Sequence, residues 1–475
     1  MKRSLRSAVI FGVGNGLTPG IAFLLLPVYT RALIPSQYGP LSVLLAISSA
    51  AGMLFSFGLD LGLFRSFFEL ADDPAKQRRF LSSAWRFLVL APLAGAVALT
   101  AVGAPFITSI HDVSVLDLFL ALVSGALYAG ATVVPLVVLR VKERLVGYIL
   151  VSGANAVATT VFVFVAVVVL HLGITGWLGA TAASNVLLLG ASAFVLPWQR
   201  GECFDWSLLR GPLRFGLTLI PHALALWAIM LADRVVLSGL VNARQLGLYS
   251  LAANIGVPIG FACAALNQSL LPRYAQAGRD PEARSRLGTV ITQQVTMTTG
   301  IALAGALLGG TLLTVLAAPS YAAAAPLVAW IALAQGLVGL YLIPMNGATI
   351  GAGRSGFVWV ISGLAAVTNV GLLLAFVPRH GITAAAISYA ATGLVLVVGI
   401  SIYSRGPGNP NTYQWPTIVG VVAAAAAAYA GGAITAPGTS IGDVCARLCW
   451  LALFAGAAML PTRSKTRAQR EPQRV

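Results

Sequence analysis

Fourteen long apolar segments follow one another along the chain, and they limit its fold more than any other feature. They cover residues 7–34, 41–67, 87–107, 116–139, 145–170, 174–196, 215–241, 246–271, 287–316, 322–350, 357–377, 382–402, 415–434 and 444–460. A helix needs about 20 residues to cross a hydrocarbon core of about 30 Å. The segments are continuous, whereas the strands of a membrane barrel alternate between apolar and polar residues. The sequence therefore predicts an all-α polytopic membrane protein with about 14 transmembrane helices.

The composition excludes a surface that faces only water. Of the 475 residues, 58% are hydrophobic and 9% are charged, whereas roughly a quarter of the residues of a soluble protein are charged. The net charge of +16 would suggest nucleic acid on a soluble domain. Here the basic residues lie in short segments between the apolar ones, so we expect membrane lipid as the neighbour and no nucleic-acid partner.

The distribution of lysine and arginine predicts how the chain is oriented. Short loops on the cytoplasmic side are enriched in these residues. If the N-terminus is cytoplasmic, all but five of the 30 basic residues fall on that side. The five on the far side are Arg31, Arg234, Arg244, Arg379 and Arg447. This pattern favours an even number of helices, with both termini in the cytoplasm.

The two halves of the chain repeat each other. The segment QYGPLS at 37–42 returns as QLGLYS at 245–250, and Gly-Ile-Thr at 173–175 returns at 381–383, both at an offset of 208 residues. Matches at one offset indicate duplication. Because each copy holds six helices, the copies have the same orientation, and a pseudo-twofold axis along the membrane normal relates them. Two such bundles around a central cleft favour a transporter that works by alternating access.

This repeat predicts the domain organisation. We expect a first six-helix bundle at 1–200 and a second at 201–408. Two extra helices would follow at 409–462, and a basic cytoplasmic tail at 463–475.

Few ionisable residues lie within the apolar segments, and each is a candidate functional residue because its charge costs at least about 2.5 kcal/mol at the centre of a bilayer. The acidic candidates are Asp60 and Asp233, which with His222 could couple transport to H⁺ or Na⁺. Asp60 could instead pair with Arg65 or Arg78. His222 could instead bond a carbonyl freed by the preceding proline.

The basic candidates lie near the ends of the apolar segments. They are Arg31, Arg65, Arg234 and Arg273. A long basic side chain near a helix end also reaches the membrane interface without binding anything specific. Both interpretations stay open for each of these arginines.

The first apolar segment contains residues that break or bend helices. Pro19, Gly20 and Pro27 would make it pliable, as a gate requires, although such residues also allow close packing between membrane helices. Scattered amides, among them Asn155, could line a hydrated cavity or join helices by hydrogen bonds. The sequence contains no phosphate-binding loop, catalytic triad or metal-spaced His/Cys group, so no enzyme activity and no cofactor is expected.

Several of these residues form a pattern that resembles a known family. Leu-Pro-Val-Tyr-Thr-Arg at 26–31, Gln-Tyr-Gly at 37–39, Phe-Gly-Leu-Asp at 57–60 and Leu-Phe-Arg at 63–65 are similar to the opening helices of the O-antigen and polysaccharide flippases. These belong to the multidrug, oligosaccharidyl-lipid and polysaccharide exporter superfamily. The Gly-Ile-Thr segments are also similar to that family, and the resemblance runs the length of the chain.

The resemblance implies a function and a location. The chain would carry undecaprenyl-diphosphate-linked oligosaccharide from the cytoplasmic to the outer leaflet of a bacterial cytoplasmic (inner) membrane. Arg31, Arg65, Arg234 and Arg273 would face the diphosphate in a cationic cavity between the bundles. A polysaccharide polymerase and glycosyltransferases of the same pathway would be its partners.

Three other functions compete with this one. A lipid II flippase and a multidrug or cation antiporter belong to the same superfamily. An antiporter should have acidic residues within its spans to bind cations, whereas the ionisable residues within the spans here are more often basic. A membrane-embedded polysaccharide polymerase or ligase would need a large external loop. The longest external stretch here, 108–115, is too short for an active site.

Overall fold

A computed structural model describes residues 20–21, 23–70, 73–107, 113–195, 204–218, 220–354, 356–406, 408–436 and 438–468. Within these ranges the regular elements are helices. They are α1 Leu26–Ala32, α2 Pro35–Phe55, α3 Leu59–Glu69, α4 Pro74–Ile107, α5 Val115–Val141, α6 Leu145–Phe164, α7 Gly173–Val195, α8 Trp206–Leu217, α9 Ile220–Ser238, α10 Ala243–Ala277, α11 Pro281–Leu316, α12 Ala325–Asn346, α13 Val358–Ser404, α14 Trp415–Thr435 and α15 Ile441–Ala468.

The helices account for the predicted spans. Among the described residues, 11 helical stretches are long and apolar enough to cross a membrane. One of them, α13, is 47 residues long and is broken at Gly381, so it supplies two of the predicted helices. In addition, α9 corresponds to the seventh predicted span, and α1 is the described end of the first. The all-α fold with about 14 transmembrane helices is thereby confirmed.

Large apolar side chains cover the outer faces of the helices. Leu150 on α6, Val367 on α13 and Ile434 on α14 are among many that are exposed. In water such a surface would be strongly unfavourable, but in a bilayer it faces hydrocarbon while the helices satisfy their own backbone hydrogen bonds.

The repeated QYGPLS and QLGLYS segments meet where α2 and α10 cross. The Oγ atoms of Ser42 and Ser250 lie 2.7 Å apart, and both side chains are buried. A Cβ on Gly39 would lie 2.3 Å from a carbonyl oxygen of α10, and a Cβ on Gly247 would lie 1.9 Å from a carbonyl oxygen of α2. The two serines are 208 residues apart, and so are the two glycines, so equivalent positions of the two sequence repeats meet here.

The two Gly-Ile-Thr segments each begin with a glycine of positive φ. Gly173 has φ +58° and Gly381 has φ +66°, which only glycine adopts readily. Gly173 is the first residue of α7, and Gly381 interrupts α13. The repeated motif therefore encodes a repeated turn.

The chain divides by packing into two compact units, Met1–Ser250 and Leu251–Val475. In the first unit, α5 is the central helix and contacts α2, α4 and α7, while α8 packs on α3 and α9 packs on α2. The core between α3, α4, α5 and α8 includes Leu59, Phe80 and Leu213. The predicted boundary at 200/201 follows the sequence repeat rather than packing, and it stays a prediction.

In the second unit, α12 packs between α11 and α13, and the extra helices α14 and α15 pack on α11. Arg447 fixes the end of α14 relative to α15. Its Nη2 donates to the carbonyl oxygens of Ala436 at 2.7 Å and Gly438 at 2.8 Å, and its Nη1 donates to Thr311 on α11. An arginine within the shortest predicted span thus binds helix-end carbonyls that lack helical partners.

Candidate functional site

Arg31 and Arg65 both have exposed side chains. Arg31 lies in the last turn of α1, where its Nη1 donates to the carbonyl oxygen of Pro27 at 3.1 Å. Arg65 Nε lies 2.9 Å from Glu69 Oε1, and the Phe215 ring lies 5.6 Å from the guanidinium carbon. An exposed pair one helical turn apart contributes only about 0.3–0.5 kcal/mol. Glu69 therefore leaves Arg65 able to bind a more highly charged anion.

Arg234 has a different environment, because it forms a buried ion pair with its neighbour Asp233. Arg234 Nη1 lies 3.2 Å from Asp233 Oδ1, and the two side chains are 6% and 3% exposed. Tyr249, which belongs to the QLGLYS segment, donates its hydroxyl to Asp233 Oδ2, and Arg234 also donates to the carbonyl oxygen of Met230 at 3.1 Å. The charge of Arg234 is thus balanced inside the first unit. The diphosphate role predicted for it stays a prediction.

The remaining predicted residues fall at separate places. Arg273 is exposed on α10. Gly20 is exposed with open space around it, and Pro27 lies in the first turn of α1. Pro19 and the side chain of His222 lie outside the described residues. The predicted roles in gating and ion coupling stay predictions.

A polar cavity of about 660 Å³ lies inside the first unit. Its walls are the α2–α3 pair and helices α5, α6 and α7. The α2–α3 pair is interrupted at Phe57 and Gly58, whose φ angles are +52° and +64°. Asp60 follows in the first turn of α3, and its exposed side chain lines the cavity. Interrupted helices commonly border the binding sites of membrane transporters.

Arg140 lines the same cavity, although the sequence pattern placed it in a basic cytoplasmic cluster. Its Nη2 donates to Tyr148 Oη at 3.4 Å, and the guanidinium carbon lies 5.7 Å from that ring. Ser124, Tyr128 and Thr132 precede it on α5 at intervals of four residues, which places them on one helix face, and all line the cavity. This polar stripe in an apolar helix is the sequence signal that would have identified Arg140.

Two amides border this cavity in different ways. Asn185 Nδ2 donates to the carbonyl oxygen and to Oγ of Ser124, at 3.0 and 3.1 Å, and so joins α7 to α5. Asn155 on α6 is only 9% exposed, yet its Oδ1 has no hydrogen-bond partner. Buried polar atoms in proteins are almost always hydrogen-bonded. Asn155 therefore has an unused acceptor at the cavity wall.

Three amides of the second unit join helices. Asn267 Oδ1 accepts from Gln294 Nε2 at 2.9 Å and from Asn346 Nδ2 at 2.6 Å, and Tyr274 donates to Gln294 Oε1 at 2.7 Å. All four side chains are buried. This network connects α10, α11 and α12, so these amides serve packing rather than a hydrated cavity.

The second unit contains an apolar cavity of about 430 Å³ between α11, α12 and α14. Leu303, Trp330, Leu337 and Tyr429 are among its lining residues. Its surface is almost entirely hydrocarbon, so a ligand there would be an apolar chain rather than a polar headgroup.

Many helices long and apolar enough to cross a membrane, together with an internal repeat, define the class of polytopic membrane proteins. Among the described residues, no cluster of His, Cys, Asp or Glu is placed to hold a metal ion. The sequence profile of the family described as "Polysaccharide biosynthesis protein" matches residues 4–278, more than half of the chain. The chain belongs to this family, which confirms the resemblance seen in its opening helices. No curated protein matches it in a comparison of sequences.

Solved structures of transporters share the fold. The lipid II flippase MurJ in an inward closed conformation has a TM-score of 0.66 and 10% identity, covering 94% of this chain and 100% of its own. An inward-facing multidrug resistance MATE family transporter of the MOP superfamily has a TM-score of 0.61 and 14% identity, covering 83% and 94%. An outward-facing structure of a MATE family transporter has a TM-score of 0.54 and 15% identity, covering 84% and 95%.

Proposed function

We propose that the chain is a flippase that moves undecaprenyl-diphosphate-linked oligosaccharide from the cytoplasmic to the outer leaflet of a bacterial cytoplasmic membrane by alternating access. The observation that supports this most is that a chain of the polysaccharide biosynthesis family has the fold of a lipid II flippase over 94% of its length. The solved proteins that share this fold are transporters, which favours a transporter over an enzyme.

The diphosphate is the physical obstacle to such transport. Moving a bare anion into hydrocarbon would cost tens of kcal/mol, so unaided crossing is negligibly slow. Arginine side chains that bind the diphosphate would offset this cost, because the planar guanidinium binds phosphate oxygens in pairs and stays charged at any working pH. Arg31, Arg65 and Arg273 are the best candidates, since all three are exposed. Arg234 is a weaker one because Asp233 already balances its charge.

The membrane potential can supply part of the drive. Each negative charge that moves outward is favoured by an inside-negative potential, by about 2.3 kcal/mol per 100 mV. Additional coupling to protons would fit Asp60 better than Asp233, because Asp60 is exposed to a cavity and Asp233 is buried in an ion pair.

The polyprenyl tail needs an apolar path while the headgroup crosses. The apolar cavity between α11, α12 and α14 has the right chemistry to hold part of such a chain. Because α14 belongs to the extra helix pair, this gives that pair a role that the six-helix repeats lack.

Two alternatives come from the structural relatives. A lipid II flippase is favoured by the full-length similarity to MurJ, and a multidrug or cation antiporter by the similarity to the MATE transporters. Export of a lipophilic cation would support the antiporter, and a preference for lipid II over other lipid-linked saccharides would support the first alternative.

Flipping in proteoliposomes tests the proposal. We expect transport of a labelled undecaprenyl-diphosphate saccharide by the wild type, and a loss of about 10-fold or more in Arg31→Ala and Arg65→Ala, since a hydrogen bond to a charged group contributes about 1.5–3 kcal/mol. Arg79→Ala, an exposed arginine on α4, is the matched control and should change the rate little. Unchanged transport in both arginine variants would remove these residues from the mechanism.

The pathway partners can be tested separately. We expect genes for glycosyltransferases and a polysaccharide polymerase beside the gene for this chain. A gene neighbourhood without any of them would argue for one of the alternatives.

A further inference from the structure

The polar cavity of the first unit has the composition of a binding site. Asp60 and Arg140 bring one negative and one positive charge to its wall, and serine, threonine and tyrosine hydroxyls surround them. Asn155 adds a buried amide oxygen that has no partner. Burying such an atom without a hydrogen bond is unfavourable, and a ligand that donates to it would remove that cost.

The charges of the wall decide which class of ligand fits. A metal cation attracted by Asp60 would be repelled by Arg140, and an anion attracted by Arg140 would be repelled by Asp60. A hydrocarbon chain would leave the wall's polar groups without partners. An uncharged molecule with many hydroxyls avoids all three penalties. Its hydroxyls can donate to Asp60 and Asn155 and accept from Arg140.

We propose that this cavity binds an uncharged sugar residue of the transported lipid-linked saccharide. The inference rests on the proposed function, because the proposed cargo is a lipid that carries the sugar. The volume, about 660 Å³, lies within the roughly 300–1,000 Å³ of small-molecule sites. The Tyr128 ring, 47% exposed, offers an aromatic face for the apolar side of a sugar ring.

The break between α2 and α3 explains why Asp60 faces this cavity. Phe57 and Gly58 end α2 with positive φ angles, and the new helix begins just before Asp60. If α2 continued without a break, the helical periodicity would place Asp60 at a different angle around the helix. Asp60 would then lie in the middle of a helix and not at its N-terminus. The break places the Asp60 carboxyl group in the first turn of α3, where it opens to the cavity.

Binding to the full chain in detergent tests the inference. The probes are bare undecaprenyl diphosphate and undecaprenyl diphosphate bearing glucose, galactose, their N-acetylamino forms or glucuronic acid. We expect at least one uncharged sugar to bind about 10-fold or more tightly than the bare lipid, because several hydrogen bonds are added. Glucuronic acid should bind more weakly than glucose, because its carboxylate meets Asp60.

Three variants assign the effect to the cavity. Asn155→Ala should weaken binding of the preferred sugar lipid about 3- to 10-fold and leave the bare lipid unchanged, which also shows that the variant is folded. Asp60→Asn should weaken the uncharged sugar lipid and reduce the discrimination against glucuronic acid. Thr368→Ala, an exposed hydroxyl on α13, is the control and should change nothing.

The outcomes separate this inference from the proposed function. If no sugar lipid binds better than the bare lipid, or if Asn155→Ala leaves the sugar preference intact, the cavity is not a sugar site, although flipping of diphosphate lipids could still hold. If Asn155→Ala and Asp60→Asn weaken binding of the bare lipid as much as binding of the sugar lipid, the cavity binds the diphosphate and the inference is wrong. If the wild type binds none of these lipids, both proposals fail.

Discussion

At the scale of single residues, the buried pair of Asp233 and Arg234 should be the most sensitive polar contact of the first unit. Asp233→Asn would leave the guanidinium of Arg234 buried without a counter-charge, which costs about 3–5 kcal/mol. We expect a large fall in the thermal unfolding temperature in detergent. Replacing both residues together, as Asp233→Leu with Arg234→Met, should restore much of the loss, because no unpaired charge remains.

The exposed pair of Arg65 and Glu69 provides the matched control. Glu69→Gln removes the same kind of ion pair from a position where both side chains are more than half exposed. Glu69→Gln should lower the free energy of unfolding by at most about 0.5 kcal/mol. Equal losses in Glu69→Gln and Asp233→Asn would mean that the Asp233 pair is hydrated, and that Arg234 is available to bind an anion after all.

At the scale of secondary-structure elements, the glycine that divides α13 should be irreplaceable. Gly381 has φ +66° and ψ −156°, a region that is essentially restricted to glycine and strained for other residues by about 1–3 kcal/mol. Gly381→Ala should therefore destabilise the protein by that amount in thermal unfolding. Gly363→Ala, also on α13 and also with open space around its Cβ position, should be neutral or stabilising. A similar loss in both variants would contradict the conformational argument.

The sequence predicted some of these elements and missed others for physical reasons. The spans could be predicted because a bilayer imposes both apolar character and a minimum length. The Gly-Ile-Thr turns could be predicted as repeated features because glycine marks positive φ. At the break between α2 and α3, Gly58 is such a glycine, whereas the positive φ of Phe57 could not be predicted, since phenylalanine carries no such signal. Neither could the Asp233–Arg234 contact, because adjacent helical residues do not normally face each other.

The candidate site was less predictable than the fold. Asp60 was identified because a carboxylate in an apolar segment is costly. Arg140 was assigned to topology because it lies at the end of a span, beside Lys142 and Arg144, where basic residues are common. Its role in the cavity depends on α2, α5 and α6 coming together, which local sequence does not specify.

At the scale of the whole molecule, equivalent residues of the two sequence repeats, 208 positions apart, meet where α2 and α10 cross. Two copies related by an axis along the membrane normal must have the same orientation. Six helices per copy meet this condition, since an even number returns the chain to its starting side. Together with the basic loops, this predicts that both termini are cytoplasmic and that each loop lies on a defined side.

Cysteine labelling tests that orientation directly. In a variant whose native cysteines are replaced by serine, Asn242→Cys lies between α9 and α10 and should react with a membrane-impermeant maleimide added outside intact cells. Arg279→Cys, in the next loop between α10 and α11, should react only after the membrane is opened. Both residues are exposed, so accessibility alone does not distinguish them. The reverse pattern would invert the orientation, and the predicted outward transfer of the anionic headgroup would then oppose the membrane potential rather than use it.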